Sequence, residues 1–299
     1  MRKSGFNLAF IGAGKVAWSL IPSIREAGYN INFISSSKIK DAEKAAVKFH
    51  IAKFSDSLKE IPPKCNIVFL TIPDDQLKKT AEQISKTFPD LNKKLFIHVS
   101  GVYSSDVIKA ITKKGGKTAS FHIMQTFPSK KRVILKKAFV SVETSDNPAK
   151  EMLFRLAEEL GMRAFSIKGA KTAYHLSGVI ASNFLTASLY NAEKLFRETG
   201  SDINFFDFIG PIINKTFNNC RKYGPVKALS GPVERGDIHT VKMHVKYLRK
   251  NKTLLLSYLL HSLNLVEIKK EQGKAAPALK EIESYLKFEM GSYLKESSR

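Results

Sequence analysis

The chain has 299 residues, 43% of them hydrophobic and 20 of them Phe, which is ample for buried cores and excludes wholesale disorder. Its 49 Lys+Arg stand against 27 Asp+Glu, a net charge of +22. The two cysteines, Cys65 and Cys220, make no framework and no CxxC, which excludes a disulfide-built secreted protein, and no run reaches the roughly 18 apolar residues of a membrane span.

The charge invites nucleic acid or another polyanion as a partner. The lysines, however, are scattered from Lys3 to Lys295 in pairs such as Lys78-Lys79 and Lys93-Lys94, with no block of five or six and no zinc-finger, RNP or KH pattern. A solvated surface explains them better than a nucleic-acid interface, which would show steep salt dependence. At the N-terminus, Met1-Arg2-Lys3 before the apolar stretch 6–11 has the outline of a secretory leader. Lys15 interrupts it and no cleavage site follows, so the expected location is cytoplasmic.

From the start, short apolar strands alternate with helical patterns. Strands are predicted over 7–11, 31–35, 66–72 (NIVFLTI), 95–99, 118–123, 139–143 and 164–167. Helices are predicted over 15–27, 41–49, 75–88, 105–114 and 149–160. Such alternation implies a doubly wound α/β domain over residues 1–168. Beyond Lys168 the strand signals stop. Helical patterns over 170–198, 203–223, 239–261 and 278–293, the last after a breaker at 273–277, imply an all-helical domain over 169–299. One polar, Gly- and Pro-bearing segment, 223–237, interrupts it.

Two sites stand out. The sequence Gly12-Ala13-Gly14-Lys15-Val16-Ala17 fits GxGxxG/A between the first strand and the first helix. Gly12 permits the tight turn, Gly14 lets backbone approach a pyrophosphate, and Ala17 keeps the helix near the sheet, whose N-terminus offers free N–H groups. At the end of the second strand, where NAD sites carry Asp or Glu, stand Ser35, Ser36, Ser37 and Lys38. They cannot repel a 2′-phosphate and can bind it, so NADP is the expected cofactor. Thr71, Ile72 and Pro73 end another strand at the same edge, and Asp74 or Asp75 can cap the helix that follows.

Polar residues also gather after the later strands: His98-Val99-Ser100-Gly101, then Ser120, His122 and Gln125. The long helix carries Lys171, His175 and Asn183 at i, i+4 and i+12, on one broad face of an otherwise apolar and therefore largely buried helix, where polar groups need partners or a task. The segment Gly231-Pro232-Val233-Glu234-Arg235-Gly236-Asp237 adds a cation and an acid. His98, His122, His175, His239 and His244 raise the question of zinc, but their spacing gives no HExxH and no Cys pair, so no metal is expected.

These residues resemble a known family. GAGKVA at 12–17, FLTIPDD at 69–75, HVSG at 98–101, SFHIMQTFP at 120–128, AYHLSGVIASNF at 173–184 and SGPVERGD at 230–237 are similar to Rossmann-like proteins classed as NADP oxidoreductases that carry a C-terminal domain of unknown function, type 2520. Their relatives include pyrroline-5-carboxylate reductase, ketopantoate reductase and 6-phosphogluconate dehydrogenase. One departure is Ile123, where the family commonly has proline. The resemblance implies NADP binding and a homodimer through the helical half, but no particular reaction. It also implies a Lys and an Asn of the first long helix facing the nicotinamide, for which Lys171 and Asn183, with His175 between them, are the nearest equivalents.

The expectation is therefore an NADP(H)-dependent oxidoreductase acting on a small carbonyl or imine, with its site between the domains. The nicotinamide would lie near Ser100 and His122, the substrate against His175, Asn183, Arg235 and Asp237. His175 is the expected proton donor, Lys171 the runner-up, and Arg235 a clamp for a substrate anion. The alternative is a non-catalytic NADP-binding sensor or structural dimer.

Overall fold

Short apolar runs bounded by turns become the strands of one eight-stranded sheet: β1 (Asn7–Ile11), β2 (Asn30–Ser35), β3 (Phe54–Ser55), β4 (Ile67–Leu70), β5 (Leu95–His98), β6 (Lys117–Ile123), β7 (Phe139–Glu143) and β8 (Arg163–Phe165). The computed structural model describes residues 5–273 and 277–297. The basic triplet Met1-Arg2-Lys3 and the centre of the breaker at 273–277 lie outside them. The strand order is β3-β2-β1-β4-β5-β6-β7-β8, parallel throughout except where β7 runs against β6. Chain direction across the sheet reverses between β1 and β4, so their carboxyl ends form the switch-point crevice where ligands bind in such sheets.

Both faces of the sheet are covered, as the unbroken burial of β4 and β5 requires. On one face α1 (Ala17–Glu26) and α4 (Asn147–Glu159) bury Leu20, Ile21, Leu153 and Leu156 against Phe10, Phe69 and Phe121. Phe10 stacks on Phe69 with ring centroids 5.2 Å apart, and Phe121 meets Phe69 edge-on at 6.2 Å. On the other face α3 (Leu77–Thr87) and the 3₁₀ stretch Ser105–Lys114 set Leu77, Ala81, Ile84, Ile108 and Ile111 against Phe33, Val68 and Phe96. Neighbouring residues of β4, Val68 and Phe69, thus enter opposite cores, the period of two that a strand imposes. The helix α2 (Ile39–Phe49) follows β2 and ends at His50 in the left-handed conformation.

After β8 the chain is helical, in agreement with the sequence: α5 (Lys171–Gly178), a π-type turn (Val179–Asn183), α6 (Phe184–Arg197), α7 (Phe205–Tyr223), α8 (Pro225–Ala228), α9 (Pro232–Arg235), α10 (Ile238–Leu248), α11 (Lys252–Glu271) and α12 (Pro277–Ser297). The residues up to Leu185 form one compact unit and those from Thr186 a second. Composition changes at Lys168, but α5 packs with the sheet through Lys171, Tyr174 and His175, which places it in the first unit. The second unit has its own core, in which Val241, Val245, Leu255, Leu259, Val266, Ile282 and Leu286 meet.

Four sequence expectations need correction. The helix predicted over 239–261 is two, because Asn251 caps α11 by accepting from Leu254 N at 3.1 Å while the apolar spacing runs on across the break. The irregular segment 223–237 holds α8 and α9. The stretch 105–114 is 3₁₀ with a kink at Ile108. Finally, the long helix is apolar but not buried: Leu176, Ile180, Phe184 and Leu185 are each about half exposed.

Candidate functional site

The Gly-rich loop is held between two strand ends. Gly12 N donates to Ser35 O at 2.7 Å, and Thr71 Oγ1 donates to Gly12 O at 2.7 Å. A Cβ on Gly12, at φ +107°, would collide with the Thr71 carbonyl and come within 2.9 Å of Ile72 Cγ2, so only glycine fits. The turn then feeds α1, whose first turn has no side-chain cap and no acidic residue, leaving its N–H groups for an anion. The loop opens on a cleft of about 600 Å³ lined by Gly12, Ala13, Gly14, Ser35, Ser36, Ser37, Thr71, Ile72 and Pro73, nine of the predicted cofactor residues. Lys15, Val16, Lys38 and Ser100 are not among its lining residues; Lys15 and Lys38 are exposed. Asp41, Asp56, Gln76, Lys79 and Lys130 line it without having been singled out by the sequence.

The cleft fits a dinucleotide by its own chemistry. The Ser35 hydroxyl is buried with no hydrogen-bond partner among the described residues, an acceptor-donor awaiting one at the ribose end. Gly14 has open backbone, its nearest neighbour to a built Cβ being Thr71 O at 3.5 Å.

From Pro73 the site continues along the carboxyl edge of the sheet. Asp74 accepts from Ser100 Oγ at 2.7 Å, and the same oxygen accepts from the amides of Val102 and Tyr103, both at 3.2 Å. His98 fixes the start of this loop: its Nδ1 accepts from Ser100 N at 3.2 Å, so Nε2 carries the proton and donates to Ser104 O at 3.0 Å. With both nitrogens used, His98 is a structural pin. Burial, then the charge of Lys171, pushes its pKa down to about 3.

Gly101 follows, and here the histidines meet. A Cβ on Gly101 would collide with the His175 ring and lie 2.6 Å from His122 Nε2. The two imidazoles stand edge to face with centroids 5.8 Å apart, and His122 Nδ1 hydrogen-bonds the Tyr174 hydroxyl at 2.8 Å. His122, Met124, Gln125, His175, Gly178 and Asn183 line a cavity of about 470 Å³. Burial, then His175, then Lys171 lowers the His122 pKa to about 4, so this imidazole is neutral at neutral pH. Burial likewise raises Tyr174 above the ordinary phenol value. Met124 Sδ would lie 2.8 Å from a Cβ on Gly178, so glycine lets α5 approach the end of β6 closely.

Lys171 departs from the face predicted for it. Its Nζ donates to Ser120 Oγ and, at 3.3 Å, to Glu143 Oε2, while Glu143 Oε1 accepts from Ser105 N at 3.3 Å. These residues lie side by side in the sheet, Ser120 opposite Glu143. Burial lowers the Lys171 pKa, and Glu143 and Asp74 oppose that fall. Lys171 anchors α5 and is not among the cavity's lining residues, whereas His175 and Asn183 are. Local spacing could not show this, because the partners come from β6 and β7.

In the second unit, Arg235 ends α9 with an exposed side chain. Asp237 caps α10, accepting from Thr240 N at 3.0 Å and Thr240 Oγ1 at 2.6 Å; these bonds hold its carboxyl below the usual range. Among the described residues no group of three His, Cys, Asp or Glu side chains could hold a metal ion, and no helix is long and apolar enough to cross a membrane.

Comparison with known proteins agrees with this architecture. Residues 7–101 match the family model described as NADP oxidoreductase, coenzyme F420-dependent, and residues 138–264 match DUF2520, a domain of unknown function. The chain is thus similar to NADP-oxidoreductase sequences in its first part and to DUF2520 in its second. Among solved structures, a Bacteroides fragilis protein classed as a candidate NADP oxidoreductase is 21% identical with a TM-score of 0.73, over 87% of this chain and 97% of that one. A Thermotoga maritima protein is 26% identical, TM-score 0.66, over 89% and 100%. A reductive aminase from Aspergillus terreus, solved with NADPH and ethyl-5-oxohexanoate, shares the fold at 13% identity and TM-score 0.59, over 96% and 94%. None of the curated proteins matches the chain significantly.

The two buried histidines set an acid limit on stability. Both have pKa values lowered from the ordinary 6.5, so the unfolded chain takes up protons first as pH falls. Their contribution is complete above 6.5 and is lost as pH drops from there through about 4 and about 3. Thermal melts stepped downward from neutrality are expected to show Tm falling, with a shallower fall in His122→Asn.

Proposed function

We propose that the chain is an NADP(H)-dependent oxidoreductase that moves a hydride between the nicotinamide and a small carbonyl or imine compound. The observation that carries this reading is the continuity of two sites. Pro73 lines the dinucleotide cleft, the adjacent Asp74 accepts from Ser100 Oγ, and Gly101, next in the chain, is pressed against the two histidines that line the 470 Å³ cavity. The description of the matched model as an NADP oxidoreductase and the NADPH held by the reductive aminase of like fold support it.

When bound, the cofactor supplies the hydride. The residues of this chain do the rest. The amides of residues 13–16 would hold the pyrophosphate, and Ser35, Ser36 and Ser37 the phosphorylated ribose. Ser100, braced by Asp74, fixes the backbone that leads to Gly101. His175 gives a proton to the substrate oxygen or nitrogen as negative charge develops there. His122, neutral and tied to Tyr174, holds the edge of the His175 ring without adding a competing charge. Asn183 offers an amide to the substrate, and Lys171 keeps α5 in register with the sheet. The cavity is sized for a small molecule rather than a polymer.

The reading includes a homodimer through the helical half. Leu176, Ile180, Phe184 and Tyr190 on the long helical run and Phe206, Phe208, Ile212 and Phe217 on α7 are all about half exposed or more. So much apolar surface on one chain is what a second copy would cover. Light scattering is expected to report twice the 33.5 kDa chain mass, and Ile212→Glu with Phe217→Glu to give the single mass. A wild-type monomer would contradict this.

The activity is tested by following NADPH absorbance against a panel of small aldehydes, ketones and ketone–amine mixtures. Oxidation by at least one compound is expected. NADPH that binds but is consumed by none, under conditions where the fold is intact, would favour a cofactor sensor instead.

A further inference from the structure

One cation in the dinucleotide cleft comes from far along the chain. Lys130 lies in the segment between β6 and β7, yet its Nζ sits 2.9 Å from Asp41 Oδ1 in the first turn of α2, and it lines the cleft with Ser35, Ser36 and Ser37. The segment that delivers it is braced. Arg132 grips both carboxylate oxygens of Glu26 at 2.5 Å, Val133 N donates to Ser19 Oγ at 2.9 Å, and Leu135 is 2% exposed in the core. Lys130 therefore stands at a fixed place, not on a free loop.

That place has the chemistry of a phosphate receptor. The turn after β2 carries three hydroxyls and no carboxylate, and it leads into the N-terminus of α2, where Lys38 makes no side-chain cap. The Ser35 hydroxyl lacks a partner among the described residues. Asp41 is the nearby acid that would otherwise repel a phosphate; the Lys130 hydrogen bond neutralises it and holds its carboxyl below the usual range. An ammonium has three donors, and Lys130 spends one on Asp41. The other two remain for an anion. Asp56 and Lys79 also line the cleft with opposite charges, and Lys130 is the cleft cation paired with the acid of α2.

We infer that Lys130, set in place by Asp41, is the residue that selects NADP(H) over NAD(H) by pairing with the 2′-phosphate. This rests on the NADP(H) reading above. The selection is made by a lysine about 90 positions beyond α2 in sequence, rather than by the turn after β2 alone.

The test measures binding and needs no turnover. Trp18, the single tryptophan, lies in the first turn of α1 beside the Gly-rich loop, its backbone amide donating to Gly14 O at 3.2 Å, and is the fluorescent reporter of bound nucleotide. Wild type, Lys130→Gln and Asp41→Asn are titrated with NADPH, NADH, 2′,5′-ADP and 5′-AMP. Wild type is expected to prefer the 2′-phosphorylated member of each pair. Lys130→Gln should lose about 10–100-fold of that preference with NADH and AMP affinity unchanged, the value of one charge-assisted bond to phosphate. Asp41→Asn, which keeps an amide oxygen to accept from Lys130 and removes the acid, should keep the preference for NADPH, and its loss there would overturn the positioning role of Asp41. A wild type that prefers NADPH with Lys130→Gln preferring it equally would overturn the role of Lys130 and leave the NADP(H) reading standing. Equal loss of NADPH and NADH in that variant would overturn it as well. A wild type with no preference would overturn the NADP(H) reading itself.

Discussion

His175→Ala is expected to lower turnover by about 10²–10⁴-fold, the contribution of a positioned general acid, while leaving NADPH affinity within a factor of about three, because the nucleotide phosphates bind at the Gly-rich cleft. The imidazole lines the 470 Å³ cavity, touches Gly101 and stands edge to face with His122. It lies outside the lining of the Gly-rich cleft. Lys171, the other donor read from the sequence, has its ammonium engaged by Ser120 and Glu143 and is not a cavity-lining group. Turnover retained in His175→Ala would transfer the proton donor's role elsewhere in the site. A parallel loss of NADPH binding would mean that the imidazole shapes the cofactor site instead.

Gly12→Ala attacks the opposite end. The residue sits at φ +107°, and a Cβ there meets the Thr71 carbonyl carbon at 2.6 Å. Neither party can yield: Thr71 is bonded to Ile11 and Gly12, and Gly12 N to Ser35. Backbone strain alone is worth about 1–3 kcal/mol. The expected result is an NADPH affinity lower by about 10–100-fold, since about 1.4 kcal/mol corresponds to each tenfold step. Tm should fall modestly with far-ultraviolet circular dichroism unchanged. Unaltered NADPH binding would show that the dinucleotide does not use this loop.

The cleft at the Gly-rich loop was legible because its signals are local. A glycine turn between strand and helix, and three serines where an acid would mark NAD, are written within residues 12–37. The apolar strands were legible for the same reason, each being a short run bounded by turns. The strand β3 was not, because Phe54 and Ser55 are two residues without a period, one of them exposed. The break between α10 and α11 was hidden by apolar spacing that continues past the Asn251 cap.

What sequence could not supply was the set of partners. Tyr174 stood in the stretch that carried the family resemblance, yet its bond to His122 joins residues 52 positions apart. Glu143 is a strand-end acid of no special pattern until β7 lays it opposite Ser120. Lys130 is one lysine in a Lys-rich chain, and only the packing of its loop on α1 places it in the cleft. The apolar face of the long helix was read as buried because its spacing says only that it must be covered, not that the cover lies within the same chain.

The most direct measurement is a crystal structure of the protein with NADP⁺ bound. The pyrophosphate is expected on the amides of residues 13–16, the 2′-phosphate against Ser35, Ser36, Ser37 and Lys130, and the nicotinamide past Pro73 and Ser100 on the side of Gly101 where His122 and His175 stand. A nucleotide lodged away from the Gly-rich loop, or a nicotinamide turned from both histidines, would contradict it.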